Sequence, residues 1–228
     1  MKKTGHGEHR RCIVCGAFSA EFFVRVDGDD YRRCGACQAT FLNPAQRLPT
    51  EEEHARYRQH RNDPADTAYR RFLSKLSDPL LQRLPPQAKG LDYGCGSGPA
   101  LACMLREAGY RMRLFDPLFF PDPKPLEDLY DFITCTETIE HFHRPAEEFA
   151  RFDRMLRPGG WLALMTSFQT DDDRFETWHY RRDPTHVVFY RDTTLRHLAH
   201  RLGWTCEIPV ADVALMQKPS DSNDMDEE

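Results

Sequence analysis

Between residues 90 and 216, short apolar runs alternate with amphipathic stretches. Short apolar runs bounded by turn residues are typical of buried strands, and apolar positions at three- and four-residue spacing are typical of helices. We therefore predict an α/β fold with a doubly wound sheet and crossover helices. The expected strands are 90–93, 112–115, 131–135, 160–166 and two within 204–216; the expected helices are 99–108, 145–156 and 192–202.

The rest of the chain divides into three further segments. Residues 49–86 are polar, with apolar side chains at helical spacing, and two prolines end the pattern. They predict a helical linker or cap between a small N-terminal domain, 1–48, and the main domain, 87–216. Residues 217–228 contain almost no apolar side chains, so we expect a disordered acidic tail there.

Charge and hydropathy exclude several classes of protein. The formal net charge is −5, and residues 217–228 hold one lysine against five acidic side chains, so the remainder is close to neutral. A near-neutral domain has no bulk electrostatic reason to bind duplex nucleic acid. The longest apolar run, 100–105, is far shorter than the roughly 20 residues of a membrane-spanning helix, so we expect no membrane partner. No secretory signal is recognisable, which predicts a cytoplasmic, reducing environment.

Four of the eight cysteines form two Cys-x-x-Cys pairs near the N-terminus. Cys12 and Cys15 are followed, after 18 residues, by Cys34 and Cys37, and a glycine beside each pair favours a tight turn. A redox pair or four unrelated thiols would not account for this spacing, which indicates a tetrahedral zinc site. We predict a structural zinc ribbon, stabilised by its metal, with a β-hairpin turning at 27–30. The other cysteines are expected in the core.

A glycine-rich loop follows the first predicted strand of the main domain. Residues 91–98 read Leu-Asp-Tyr-Gly-Cys-Gly-Ser-Gly, and a predicted helix follows. Glycines at the carboxyl edge of a sheet let a nucleotide-like ligand approach the backbone closely. The dinucleotide fingerprint Gly-x-Gly-x-x-Gly would need a glycine where this chain has Pro99, which disfavours a nicotinamide dehydrogenase. The observed spacing is Gly-x-Gly-x-Gly, with Asp92 two residues before the first glycine.

The loop resembles the first motif of class I S-adenosylmethionine-dependent methyltransferases, and the resemblance extends over residues 88–216. Residues 130–137 look like the fourth strand of that family, and 156–161 look like the turn into its fifth. The resemblance implies a Rossmann-like methyltransferase sheet, S-adenosylmethionine as the cofactor, and an acid after the second strand that binds the ribose, a position matched by Asp116. The implied cofactor-binding residues are Asp92, Gly94, Gly96, Ser97, Gly98, Asp116 and Thr136.

One departure from the family concerns the edge of the sheet. Only 14 residues, four of them proline, separate Asp116 from Asp131. The family usually has a helix and a third strand there. We therefore expect a trimmed sheet edge and assign no adenine-contacting residue.

A cluster of acids and imidazoles is predicted beyond the fourth strand. Glu137, Glu140 and His141 lie at positions i, i+3 and i+4, which share one face of a helical turn. Carboxylates with imidazole suit Mg²⁺, Mn²⁺ or Zn²⁺. The segment is similar to one in ubiquinone-pathway O-methyltransferases and small-RNA 2′-O-methyltransferases. There it binds a divalent ion near the acceptor hydroxyl, and in the RNA enzymes a later histidine, matched here by His186, completes the site.

Three hypotheses describe the role of this cluster. A divalent ion, Mg²⁺ or Mn²⁺, could lower the pKa of an acceptor hydroxyl. His141 could instead take the acceptor's proton without a metal, because its ordinary pKa suits that task. In the third hypothesis Glu140 and His141 merely cap a helix. We predict Glu137, Glu140, His141 and His186 as the catalytic residues, with His141 foremost.

The leading functional prediction is an S-adenosylmethionine-dependent methyltransferase that acts on the hydroxyl or activated carbon of a small molecule. The polar and aromatic insertion, residues 170–191, is expected to shape the acceptor pocket. One alternative is a methyltransferase of RNA, whose phosphates the ribbon and an arginine-rich span would hold. Another is a non-catalytic cofactor-binding protein whose ribbon recruits a partner protein. The arginine-rich span comprises Arg56, Arg58, Arg61, Arg70 and Arg71.

Overall fold

The computed structural model describes residues 10–59 and 62–221, which form two sheets and five α-helices. The strands are β1 (Ala20–Val26), β2 (Asp29–Cys34), β3 (Thr40–Leu42), β4 (Lys89–Tyr93), β5 (Arg111–Phe115), β6 (Tyr130–Thr136), β7 (Leu156–Met165), β8 (Val188–Phe189), β9 (Thr205–Glu207) and β10 (Val213–Gln217). The helices are α1 (Thr50–Tyr57), α2 (Thr67–Leu81), α3 (Ala100–Glu107), α4 (Pro145–Met155) and α5 (Asp192–Leu202).

The larger sheet has six strands in the order β5-β4-β6-β7-β10-β9. Strands β5, β4, β6 and β7 are parallel to their neighbours, and β10 runs antiparallel to both β7 and β9. The predicted α/β fold with its doubly wound sheet is therefore confirmed. The trimmed edge is also present, because in the described part of the chain no strand lies beyond β5 and the short segment before β6 contains only a 3₁₀ turn, Lys124–Glu127.

Both faces of this sheet are buried, which explains the continuous apolar runs of its central strands. Phe132 of β6 points to the face covered by α2 and α3, and Ile133 points to the face covered by α4 and α5. Helix α2 places Leu73, Leu76 and Leu80 in the first of these two cores. Helix α2 thus packs on the sheet as a cap, with the apolar face that its residue spacing predicted.

The smaller sheet, in the order β1-β2-β3-β8, contains the cysteine segment, residues 12–42, which we call the ribbon. Asp27 and Gly28, both with positive φ, form the two-residue turn between β1 and β2, as expected for an Asp-Gly hairpin. Strand β3 pairs with β8 of the insertion, and ribbon and main-sheet residues share one hydrophobic core. The ribbon is consequently packed against the larger unit.

The C-terminal boundary differs from the expectation. Gln217 ends β10, the Nζ of Lys218 donates to the carbonyls of Asp153 and Leu156 at 2.7 and 3.1 Å, and the carbonyl of Pro219 accepts from the backbone of Gly159 at 3.1 Å. The start of the predicted tail at 217 is therefore wrong. Residues 222–228 of that tail, residues 1–9, and Arg61 of the arginine-rich span lie outside the described residues. Across the described ranges the longest helix, α2, has 15 residues, and none is suited to crossing a bilayer.

Candidate active site

A cleft of about 540 Å³ opens at the carboxyl ends of β4, β5 and β6. The chain leaves β4 toward β5 on one side and returns to β6 on the other, so the cleft lies at the topological switch point where α/β sheets bind ligands. The glycine loop and the segment 116–119 form one end of the cleft. Helix α1, the segment 136–143 and His186 form the other end.

Asp116 is fixed by backbone hydrogen bonds in the end of the cleft that the glycine loop forms. Its Oδ2 accepts from the backbone N–H of Gly96 at 3.0 Å, and its Oδ1 accepts from Leu118 and Phe119 at 2.9 and 3.0 Å. Gly96 has φ +64°, a conformation that a side chain would strain. The carboxylate thus sits directly after β5, in contact with the glycine loop.

Five of the seven predicted cofactor residues line the cleft: Gly94, Gly96, Ser97, Asp116 and Thr136. Asp92 does not, since it is 2% exposed and its Oδ1 accepts from the hydroxyl of Thr134 at 2.8 Å. Burial raises the pKa of Asp92 to about 6. Gly98 does not line the cleft either; a Cβ there would lie 1.7 Å from the backbone oxygen of Asn62. These two residues belong to the glycine-loop segment but do not line the cleft.

The acid and imidazole cluster forms, but not on the helical turn that was predicted. Glu137 has φ +46°, and only a 3₁₀ turn, Ile139–His141, follows it. The groups whose ligand atoms lie within 4.8 Å of one another are Glu140, His141 and His186, without Glu137. The rings of the two histidines are 4.7 Å apart. The expected pairing of Glu137 with Glu140 on one helical face is therefore wrong, whereas the approach of the distant His186 is present.

Glu140 is a fully buried carboxylate held by two hydroxyl groups. Tyr180 donates to Oε1 at 2.5 Å, and Thr166 donates to Oε2 at 2.9 Å. Burial raises the pKa of Glu140. The Tyr180 hydroxyl also lies 3.3 Å from Oε2 of Glu137, whose pKa burial and the nearby charge of Glu140 raise to about 8. The two acids therefore differ in their surroundings, because only Glu140 lies within 4.8 Å of the ligand atoms of both histidines.

Each histidine of the cluster is oriented by a backbone carbonyl. The Nδ1 of His141 lies 3.0 Å from the oxygen of Thr185, and the Nδ1 of His186 lies 2.7 Å from the oxygen of Tyr180. Because a carbonyl can only accept, both Nδ1 atoms are assigned as protonated, and in the neutral rings Nε2 has the lone pair. Burial lowers the pKa of His186, which favours the neutral ring. Such a set can bind a divalent cation or take a proton.

Sequence reasoning missed the cleft wall that faces the histidine cluster. The hydroxyl of Tyr57 donates to Oε1 of Glu53 at 2.6 Å, and Nε2 of His143 lies 3.4 Å from the same oxygen. Although burial opposes ionisation, the hydrogen bonds from His143 and Tyr57 lower the pKa of Glu53. The ring of Tyr57 meets that of His141 edge-on at 5.2 Å. The spacing of Glu53 and Tyr57 on α1 was the one available signal.

The four ribbon cysteines meet as the spacing predicted. The Sγ atoms of Cys12 and Cys37 are 3.7 Å apart, those of Cys15 and Cys34 are 3.6 Å apart, and all four lie within 4.8 Å of one another. A zinc ion with Zn–S bonds of about 2.3 Å separates tetrahedral sulfurs by roughly 3.8 Å. A hydrogen bond from the Cys37 thiol lowers the pKa of Cys12 to about 5, whereas burial raises the pKa of Cys15 to about 11. The group could therefore bind zinc.

A mixed sheet of this order, with a glycine loop and an acid at its switch point, agrees with the Rossmann-like methyltransferase sheet that the sequence resemblance implied. A family model described as a methyltransferase domain matches residues 56–207, more than half of the chain. The chain belongs to this family of S-adenosylmethionine-dependent methyltransferases. A search of curated proteins found no significant match.

Solved structures share the fold at low sequence identity. Human N-acetylserotonin methyltransferase in complex with SAM has a TM-score of 0.50 and 15% identity over 75% of this chain and 56% of that chain. A protein from Pyrococcus horikoshii OT3 has a TM-score of 0.49 and 17% identity over 73% of this chain and 99% of that chain. An O-methyltransferase family protein from Burkholderia thailandensis has a TM-score of 0.48 and 16% identity. The match covers 75% of this chain but 64% of the Burkholderia protein's length.

Proposed function

We propose that the protein transfers the methyl group of S-adenosylmethionine to a hydroxyl group of a small molecule. The observation that supports this proposal is a single cleft joining the glycine loop and Asp116 to the cluster of Glu140, His141 and His186. Methyl transfer is an in-line displacement, so the protein must align nucleophile, carbon and sulfur and exclude water. The two ends of the cleft supply the donor site and the acceptor site of such a reaction.

At the donor end, S-adenosylmethionine would supply an electrophilic methyl group on its sulfonium. Gly94 and Gly96 allow the cofactor to approach the backbone, because both have positive φ and no side chain. The carboxylate of Asp116 is placed to accept hydrogen bonds from ribose hydroxyls. These residues bind and orient the donor and take no part in proton transfer.

At the acceptor end, Glu140, His141 and His186 hold or remove the hydroxyl proton. The three also fit a divalent cation such as Mg²⁺ or Mn²⁺, since two oriented imidazoles and one buried carboxylate converge within 4.8 Å. Such a cation, when bound, would make the hydroxyl more acidic. In its absence Nε2 of His141 takes the proton, with Glu140 beside it stabilising the imidazolium at 3.9 Å.

The charge of the cleft favours a small molecule over RNA. Among the described residues one guanidinium, that of Arg151, lines the cleft against the carboxylates of Glu53, Asp116 and Glu148. Two further acids, Glu137 and Glu140, line it with raised pKa values. Phosphates would meet repulsion there. In the arginine-rich span, Arg70 is engaged by Glu107 of α3. An uncharged or cationic acceptor matches this cleft better.

We further propose that the ribbon cysteines hold a structural zinc ion. Four buried thiol groups at tetrahedral spacing are a closed site, with no position for substrate. Its contribution is to folding, because deprotonated cysteines in a buried cluster need the cation to offset their mutual repulsion.

The test measures which class of molecule receives a labelled methyl group. Purified protein is incubated with labelled S-adenosylmethionine and a cell extract separated into a small-molecule fraction and an RNA fraction. Label should enter the small-molecule fraction, and His141→Ala should slow its entry by about 100-fold, whereas His200→Ala, an exposed histidine on α5, should not. Label in RNA would favour the alternative substrate. Cofactor binding without transfer to either fraction would favour a non-catalytic role.

A further inference from the structure

A continuous set of backbone hydrogen bonds joins the ribbon to the acceptor cluster. Strand β3 pairs with β8, and the N–H of Leu42 donates to the carbonyl of Val187 at 2.9 Å. The N–H of the same Val187 donates to the carbonyl of Glu140, also at 2.9 Å. One residue of the insertion is thus bonded on one side to the ribbon and on the other to the acid of the acceptor cluster.

A second connection runs through Arg181, a side chain only 5% exposed. Its Nη2 donates to Oδ2 of Asp27, in the hairpin turn of the ribbon, at 2.9 Å. The preceding residue, Tyr180, donates to Glu140 with its hydroxyl and accepts from Nδ1 of His186 with its carbonyl. The hairpin turn therefore holds Arg181, and the neighbouring Tyr180 orients Glu140 and His186.

Packing supports both connections. Tyr31 of β2 meets Phe175 and Phe189 of the insertion edge-on, with ring centroids 4.9 and 6.0 Å apart. Arg33 of β2 forms an ion pair with Asp172 at 2.6 Å. The insertion is accordingly held against the ribbon along its length. The donor end is held differently, since Asp116 is bonded to the glycine loop and to the backbone that follows β5.

We infer that the ribbon positions the acceptor cluster through the insertion, with Arg181 and Tyr180 as positioning residues, and that it does not position the donor end. The inference rests on the proposed role of the cluster in methyl transfer, but its physical content is the geometry of His141 and His186. Weakening the contact between ribbon and insertion should loosen these two rings and leave the affinity for cofactor unchanged.

The test measures ring geometry and needs no acceptor. In ¹⁵N-labelled full-length protein, the Nδ1 protons of His141 and His186 are observed by NMR, assigned with single His→Gln variants, and their exchange with water is measured. Arg181→Gln should accelerate that exchange at least threefold. Arg182→Gln, the exposed neighbouring arginine, is the matched control and should not. Affinity for S-adenosylhomocysteine should stay within twofold in both variants.

A second variant covers the possibility that Arg181→Gln fails to fold. Asp27 is 78% exposed, so Asp27→Asn removes its charge without disturbing a core, and it should also accelerate exchange of both protons, by a smaller factor. The inference would be overturned if the exchange of both Nδ1 protons were unchanged in Asp27→Asn and in any Arg181→Gln protein that folds. It would also be overturned if these variants lost affinity for S-adenosylhomocysteine. Absence of methyl transfer by the unaltered protein would contradict the proposed function without affecting this measurement.

Discussion

The hydroxyl of Tyr180 donates a 2.5 Å hydrogen bond to Oε1 of Glu140, 40 positions away in the chain. The acid follows β6 and the phenol lies in the insertion, so the bond ties the insertion to the end of β6. With the hydroxyl of Thr166 on its other oxygen, the buried carboxylate has two donors that fix its plane. A buried acid held in this way can act as an oriented ligand or as a partner for His141.

Tyr180→Phe should therefore lower both stability and turnover. Loss of one donor to a buried carboxylate costs about 1–3 kcal/mol of unfolding free energy, which urea denaturation measures. Methyl transfer should fall at least tenfold while affinity for S-adenosylhomocysteine is retained. Tyr190→Phe is the control, because that buried hydroxyl donates to the carbonyl of Ile139 and not to an acid. An equal loss of turnover in both variants would contradict a special role for Tyr180.

Gly98→Ala should weaken cofactor binding although Gly98 does not line the cleft. The added Cβ would meet the backbone oxygen of Asn62 at 1.7 Å, so Asn62 must move. Asn62 is one of the residues that line the cleft. We expect at least a tenfold loss of affinity for S-adenosylhomocysteine by calorimetry. Gly35→Ala, whose added Cβ would lie in ordinary contact 3.5 Å from the backbone oxygen of Ser19 and which does not line the cleft, should bind normally, and normal binding by Gly98→Ala would refute the prediction.

Asp92 makes stability depend on pH in a defined direction. An acid whose pKa is higher in the folded than in the unfolded chain stabilises the fold only while it is protonated. That contribution is complete below the usual pKa of 3.8 and is lost as the pH rises through about 6. The difference corresponds to about 3 kcal/mol. We compare the unfolding free energies of the unaltered protein and Asp92→Asn. The value for the unaltered protein, relative to that of the variant, should fall by about 3 kcal/mol between pH 4 and pH 7.

The matched control for this pH series is Asp78→Asn, an exposed position on α2. Its unfolding free energy should follow that of the unaltered protein at every pH. A constant difference between the unaltered protein and Asp92→Asn across the series would show that burial does not raise the pKa of Asp92.

Zinc content tests the proposed ribbon site. Native mass spectrometry of the purified chain should show one zinc ion, and Cys34→Ser should lose it together with several kcal/mol of stability. Cys206→Ser alters a cysteine of β9 outside the cluster and should retain the ion. A metal-free, fully folded protein at neutral pH would contradict the assignment.

Sequence patterns were sufficient where the structure depends on local chemistry. Apolar periodicity located the strands and helices of the large sheet, the Asp-Gly pair located the hairpin turn, and the spacing of the glycines located a loop that lines the cleft. Each of these signals arises within a few residues of the element that it predicts. The spacing of the cysteines was equally informative, because the four thiols meet.

The unpredicted features depend on long-range packing. No pattern in β3 indicates that it pairs with a two-residue strand more than 140 positions later. The positive φ of Glu137 replaces the expected helical turn, because the N–H of Glu137 continues the ladder to Met165 instead of starting a helix. Glu53 enters the site only because α1 folds over the cleft. Register and burial across the chain decide such contacts.

Calorimetric titration with S-adenosylhomocysteine tests the central claim that one cleft holds donor and acceptor sites side by side. The account predicts one site per chain in the unaltered protein, binding weakened by about 10- to 100-fold in Asp116→Asn through loss of a charged hydrogen-bond acceptor, and unchanged binding in His141→Ala. No binding by the unaltered protein, or equal binding by Asp116→Asn, would contradict it.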